Sequence, residues 1–317
     1  MYQRENYQNA AEILAERKRA AEEAAQERLS EVHKKSARIR EIDRELAGTG
    51  LQIFGAACAG EDILPLRRRN ENLQKERGEL LAGLGYREDY TAIHYTCPIC
   101  QDTGYDKNAM MCSCLKEILQ SEAARSSGLG RLIGTQTFEN FSLDVYSDEE
   151  TKKYMEKALR LVKKFAEETI PVKNPKNLLL FGTTGTGKTH LSTAVAGVFL
   201  ARGYGVLYDT AQNIADAFEA DHFHSSYGAV EKQGEKYLAC DLLILDDLGT
   251  EFFSSFSGSA LYNLVNARML RGMPTVISTN LTLKELQERY TDRFYSRVVG
   301  PEFTTIHVIG EDRRTHR

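Results

Sequence analysis

"FGTTGTGKTH", residues 181–190, decides the reading of this 317-residue chain. Gly182, four further residues, then Gly187, Lys188 and Thr189 complete the pattern of a phosphate-binding loop, the Walker A motif. The apolar run 177–181 before it reads as a strand, and residues 188–201 after it read as a helix, which is the context the pattern needs. Glycines let the backbone curl until its N–H groups face phosphate oxygens, and the helix N-terminus adds positive potential. On this reading Gly182, Thr183, Thr184, Gly185, Thr186, Gly187 and His190 surround the phosphates of a bound ATP. Lys188 reaches the β- and γ-phosphates, and the Thr189 hydroxyl ligates Mg²⁺.

The partner motif is "LLILDD", 242–247, an apolar strand ending in acids. Asp246 is placed to hold Mg²⁺ and Asp247 to polarise an attacking water. One expected strand, "GVLYDT" (205–210), lies between the two motifs, so they are not on strands consecutive in sequence. "TVIST" (275–279) and "TTIHVI" (304–309) are the remaining strands. All are short and apolar, as strands buried on both faces are, and helical stretches separate them. The expectation is a parallel, doubly wound α/β sheet. Asn280, after the fourth strand, would orient water near the γ-phosphate, though many strands end in Asn simply to turn. Arg289, Arg293 and Arg297 are spaced by four, near one face of a helix. They are either a solvated basic face or a source of an arginine finger for a neighbour's ATP.

Net charge is −4 and 27% of residues are charged, so any nucleic-acid contact must use a local patch. No apolar run approaches the ~18 residues of a membrane span, and the N-terminus has no apolar signal core. A cytoplasmic address is therefore expected. Of six cysteines, Cys97, Cys100, Cys112 and Cys114 fall within one short polar segment, "CPICQDTGYDKNAMMCSC". Without a secretion signal this crowding favours a metal over disulfides. The expectation is a structural Zn²⁺ held by these four thiolates, with His94 close enough to replace one. Cys58 and Cys240 are isolated and read as small buried residues.

Residues 5–47 have almost no helix breakers, and a seam of spacing four and three runs through Ala25, Leu29, Val32, Ser36, Ile39, Asp43 and Leu46. "GTG" at 48–50 is expected to end this helix, and Leu66, Leu73, Leu80 and Leu84 mark a second one. The pair reads as a helical hairpin, either packing only on itself or docking a partner's helices. The expected organisation is a hairpin over 1–92, a zinc module over 93–120, a linker over 121–150 and an ATPase domain over 151–317.

Walker A, Walker B, the late Asn and the late Arg together resemble the AAA+ ATPases. "LLILDDLGTE", "NLVNARMLRGMPTVISTNLT" and "YSRVVG" look specifically like the DnaC/DnaI-type helicase loaders and their relative IstB, over roughly residues 135–317. The resemblance implies that Asn280 is sensor I, Arg297 the arginine finger (Arg293 second), and Arg314 sensor II. Asp247 stands where most AAA+ proteins have Glu, so Glu251 is a fallback base. The chain stops soon after the fifth strand, so the expected fold is an ATPase domain lacking the C-terminal helical lid, as the resemblance to these families implies. The resemblance further implies a homo-oligomer in the ATP state that loads the replicative DNA helicase onto single-stranded DNA. An IstB-like transposition helper, acting with a transposase on duplex DNA, is the alternative. A zinc-containing adaptor with a degenerate switch is disfavoured by the intact Lys188, Thr189 and Asp246. For DNA contact, Phe218, Phe223, Tyr227, Lys232 and Lys236 either stack on bases and meet phosphates, or belong to a helix that packs its aromatics inward.

Overall fold

A computed structural model describes residues 4–130, 132–146, 148–224, 232–252 and 254–310. The chain divides into two compact units, one of Ala10–Lys116 and one of Met1–Asn9 with Glu117–Arg317.

The first unit is helical. Helix α1 (Arg4–Lys35) supplies its residues from Ala10 onward, followed by α2 (Ala37–Ala59) and α3 (Leu64–Gly83). The expected single helix over 5–47 is two, because Ser36 leaves helical geometry (φ −138°, ψ 111°) and its side chain accepts the Ile39 N–H as an N-cap. Nor does "GTG" stop the second helix, which runs through it to a left-handed Gly60. Thr49 is buried, donates to Leu46 O and accepts from Asn70 Nδ2 at 2.9 Å. That bond across the α2–α3 hairpin offsets the weak helix propensity of the flanking glycines. Of the seam residues, Ala25, Val32 and Ile39 are buried, as is Ile42; Val32 and Ile39 pack with Leu81 in the unit's core. Polar bonds supplement this thin core. Asp43 accepts Arg77 Nε at 2.6 Å and lies 2.7 Å from His33 Nε2, while Glu31 accepts from Lys35, Tyr86 and Tyr90.

The second unit holds α4 (Ser113–Ser126) from Glu117 onward, α5 (Leu132–Thr135), α6 (Glu149–Glu168), β1 (Asn177–Phe181) and α7 (Lys188–Ala201). There follow β2 (Val206–Thr210), α8 (Ala211–His224), α9 (Glu235–Ala239) and β3 (Leu242–Leu248). Then come α10 (Ser255–Leu270), β4 (Thr275–Thr279), α11 (Leu283–Arg289), α12 (Asp292–Val298) and β5 (Phe303–His307). All five strands pair in parallel, in the order β2-β3-β4-β1-β5. Side chains alternate across the sheet. Leu178, Leu180, Ile244 and Val276 meet α6 and α7 on one face; Leu179, Leu243, Leu245 and Ile277 meet α8, α10, α11 and α12 on the other. Each such apolar side chain, removed from water, contributes about 1.5–3 kcal/mol before the cost of ordering.

Residues 121–150, expected to be a linker, belong to this unit's core. Leu129, Phe138, Phe141 and Tyr146 are all buried against α6 and α7. Gly128 lies so close to β2 that a Cβ there would collide with the Tyr208 carbonyl, and Tyr208 N–H bonds Ser127 O at 2.6 Å. "SSGLG" is thus a tight docking segment rather than a hinge.

Candidate nucleotide site and cysteine cluster

Because every strand is parallel, the C-terminal tips of β1, β3 and β4 lie at one edge, with β4 between the other two. This order brings together motifs separated by some hundred residues, at the edge where α/β sheets bind ligands. The loop 182–187 follows β1. Gly182, Gly185 and Gly187 have φ of 148°, 80° and 102°, and a Cβ at Gly182 would collide with the Val308 carbonyl oxygen. Gly187 is the N-cap of α7, so the first N–H groups of that helix open into the loop.

Lys188 is 5% exposed, and its Nζ donates to Gly182 O at 2.8 Å and Thr183 O at 2.7 Å. The ammonium is thereby held within the curl of the loop. Thr189 Oγ1 donates to Asp246 Oδ2 at 3.3 Å. Asp246, 3% exposed, also accepts the Tyr208 and Ser278 hydroxyls. Burial, and then the Asp246 charge, push the Tyr208 hydroxyl well above its ordinary pKa, so it stays a donor. Asp247 has φ 53°, left-handed for a non-glycine residue, and its N–H bonds Ser278 Oγ at 3.0 Å. Asn280 Nδ2 donates to Asp247 Oδ1 at 3.3 Å. The structure therefore brings Lys188, Thr189, Asp246, Asp247 and Asn280 into one place. A buried ammonium, a helix N-terminus and a hydroxyl–carboxylate pair can bind a triphosphate with its divalent cation.

Other expected residues lie elsewhere. The His190 ring bonds Thr137 O at 2.7 Å and meets Phe141 edge-on, so it fastens the 135–141 segment to α7. Glu251, the fallback base, is buried and accepts the Gly249 N–H and the Tyr290 hydroxyl, which leaves it no access to a water at the phosphates. The three arginines do not share a helix. Arg289 ends α11, Thr291 caps α12, and only Arg293 and Arg297 lie on the exposed face of α12, opposite buried Phe294 and Val298. In the suggested DNA stretch, Phe218 packs inward beside Tyr237, whereas Phe223 is 65% exposed. Arg314 and Tyr227 lie outside the described residues. Sequence reasoning missed Tyr208 and Ser278, although a polar residue inside each apolar strand was the available signal.

In the helical unit, the Sγ atoms of Cys97, Cys100, Cys112 and Cys114 all lie within 4.8 Å of one another. Cys97–Cys112 is 3.7 Å and Cys100–Cys114 is 3.3 Å. A tetrahedral Zn²⁺ with ~2.3 Å bonds has sulfur–sulfur edges of ~3.8 Å, so the four fit that ion. Asp102, buried in a left-handed turn, accepts the N–H groups of Thr96 and Cys97 and shapes the first knuckle. A Tyr105–Met111 bridge closes the second. Burial opposes ionisation of Cys100, but hydrogen bonds from Cys114 and its neighbours outweigh it and hold that thiol at about 7; burial and the same contact push Cys114 up. Were all four ionised at this separation they would repel one another, so ionisation of the cluster and binding of a cation would go together. His94 is exposed and outside the cluster, which corrects its expected role as a substitute ligand. Cys58, expected to be buried, is exposed.

A parallel sheet in this strand order, with a glycine-rich loop, a buried lysine and paired acids at its edge, defines a P-loop ATPase of the AAA+ class. Residues 129–299, more than half the chain, match the family model described as IstB-like ATP binding protein, and the chain belongs to that family. Among curated proteins, the replicative helicase loader DnaC of Escherichia coli is 27% identical over 172 residues, 54% of this chain and 66% of that protein. The chain thus spans just under two thirds of that relative's length. The chromosomal replication initiator protein DnaA of Aquifex aeolicus is 29% identical over 145 residues, 45% of this chain and 34% of that one. The crystal structure of DnaI resembles this one with a TM-score of 0.46 at 23% identity, covering 59% of this chain and 95% of that one. Among the described residues no helix is long and apolar enough to cross a membrane.

Proposed function

We propose that this chain is an ATP-dependent loader of the replicative DNA helicase onto single-stranded DNA, working as a cytoplasmic homo-oligomer in its ATP state. One observation carries the reading: a nucleotide site is assembled in the family domain, while a separate unit, residues 10–116, lies outside the family match. A relative described as a replicative helicase loader supports the choice of partner.

In this reading Lys188 meets the β- and γ-phosphates, and Thr189 and Asp246 would hold Mg²⁺, which would neutralise charge on the phosphate oxygens. Tyr208 and Ser278 fix the Asp246 carboxylate for that task. Asp247 takes the proton of the attacking water, and Asn280, 3.3 Å from it, orients that water. Arg297, exposed on α12, serves as the finger for a neighbouring subunit, with Arg293 one turn away as the second choice. Arg314 remains the proposed sensor II. Phe223, Lys232 and Lys236 are the proposed contacts to single-stranded DNA.

Partner choice belongs to the helical unit. At the turn of the α2–α3 hairpin Phe54 is 72% exposed and Leu64 58%, next to exposed Arg67, Arg68 and Arg69. On the cysteine module Ile99 and Met110 are 67% and 65% exposed. These exposed apolar side chains are the proposed partner contacts of the unit, and Zn²⁺ would hold the module in shape to present its own. The test is retention of purified replicative helicase on closed circular single-stranded DNA. Retention should require both this protein and ATP. Unassisted loading to the same extent removes the proposal. The family description keeps the second reading alive: capture of a transposase and duplex DNA, without helicase, would replace the first with an IstB-like helper.

A further inference from the structure

Glu251 follows Asp247 by four residues, and its side chain is wholly buried. A carboxylate taken out of water must be paired or hydrogen-bonded. One oxygen accepts the Gly249 N–H at 2.8 Å. The other accepts the Tyr290 hydroxyl and lies 4.0 Å from Arg289 Nε. Arg289 Nη2 returns a bond to the Glu251 backbone carbonyl at 2.8 Å. This clasp joins the turn after β3 to the end of α11. Tyr290 then stacks on Phe294, with centroids 4.7 Å apart and planes 29° apart. Phe294 is the buried anchor of α12, whose exposed face carries Arg293 and Arg297.

The other end of this line reaches the nucleotide site. Thr250 N–H and Oγ1 both bond Asp247 O, at 3.2 and 2.8 Å. Asp247 is held in the left-handed region with its carboxylate accepting from Asn280. A non-glycine residue stays in that region only where its surroundings over-determine it. On the roles proposed for these residues, a water at a γ-phosphate would compete for the Asp247–Asn280 bond. Engaging either side chain gives nucleotide a differential contact with the turn, which is the condition for shifting it.

We propose that Glu251 is a positioning residue, the clasp that makes the arginine-bearing helix α12 respond to nucleotide bound in its own subunit. The inference rests on the proposed role of the α12 arginines in a neighbour's site. It makes the arginine offered to the next subunit depend on the nucleotide state of the subunit that offers it.

The test is hydrogen exchange on the full chain, with and without a non-hydrolysable ATP analogue and Mg²⁺, read at peptides covering 283–299. In the unsubstituted protein the analogue should slow exchange there as well as over 182–201. In Glu251→Gln, and in the milder Tyr290→Phe, the slowing over 182–201 should persist while the response at 283–299 shrinks by about 2- to 30-fold. An undiminished response in both variants, or no response in the unsubstituted protein, overturns the proposal. So does a rise in exchange that is equal with and without nucleotide, which is what lost packing alone would give. Mixing Arg297→Ala with Lys188→Ala subunits tests the neighbour-site reading separately. If mixing restores no turnover while the exchange response behaves as stated, the neighbour-site reading fails and the clasp stands as a link within one chain.

Discussion

The two units are held together in different ways. The ATPase unit buries much of its strands: Leu178–Leu180 and Leu242–Leu245 are inaccessible to solvent, and the polar groups of its candidate nucleotide site are bonded to rigid elements. The helical unit has a thin core around Val32, Ile39 and Leu81, supplemented by the Arg77–Asp43–His33 and Glu31–Tyr86–Tyr90 networks and the cysteine cluster. Chemistry on a phosphate needs groups fixed to a fraction of an ångström, which a doubly covered sheet provides. Choosing a partner needs exposed side chains on a defined frame, and side-chain bonds and a metal can supply that frame without a large core.

The largest effect expected is loss of ATPase turnover in Lys188→Ala, because the γ-phosphate loses its buried point charge while the helical unit is untouched. Steady-state hydrolysis with excess ATP checks it, and unchanged turnover would break the assignment of chemistry to this unit. Arg297→Ala should leave nucleotide binding intact and lower turnover of the assembled protein, by about 10³- to 10⁵-fold if the finger matches those of well-studied NTPases. Mixing it with Lys188→Ala subunits should partly restore turnover, since one donates the finger and the other the site.

The helical unit should fail differently. Metal analysis should find one Zn²⁺ per chain. Cys97→Ser or Cys112→Ser should release it and loosen residues 94–118 while ATP binding persists; His94→Ala should not. Asp43→Ala leaves Arg77 without its carboxylate in a half-buried site and should cost about 1.5–3 kcal/mol, read by urea unfolding of this unit. The smallest effect concerns pH. Hydrogen bonds from Lys35, Tyr86 and Tyr90 hold the Glu31 carboxyl at about 2, below its ordinary 4.5. A depressed folded-state pKa gives stability that is present above the unfolded value and lost as pH falls toward the folded one. Acid titration should therefore loosen the helical unit between about 4.5 and 2, and Glu31→Gln should flatten that dependence.

What could be read in the sequence follows the same division. The phosphate loop, the acid-tipped strand and the paired cysteines are local patterns, and their spacing carries the geometry. Parallel strands announce themselves because burial on both faces makes them uniformly apolar. Features set by distant partners were not legible. Gly48 and Gly50 sit inside a helix because Thr49 meets Asn70 across the hairpin. The apparent linker is core because Phe138, Phe141 and Tyr146 are spaced without period and find α6 and α7 only in the fold. Ser36 and Thr291 split expected helices by capping, a role that any mid-helix Ser or Thr can decline. Tyr208, Ser278 and Glu251 take their meaning from side chains 32 to 39 positions away, brought near by the fold rather than by local spacing.

The central claim is that residues 117–317 carry the ATP chemistry and the helical unit selects the partner. The most direct measurement is capture of purified replicative helicase by the full chain and by a 117–317 fragment. The fragment keeps α4 from Glu117 onward, Leu129 and every core aromatic of the ATPase unit, and gives up residues 1–9 of that unit, whose Asn6 and Asn9 bond Ser126 and Glu122. The account predicts that both bind ATP and that only the full chain captures helicase. Capture of helicase by the fragment with undiminished affinity would contradict it.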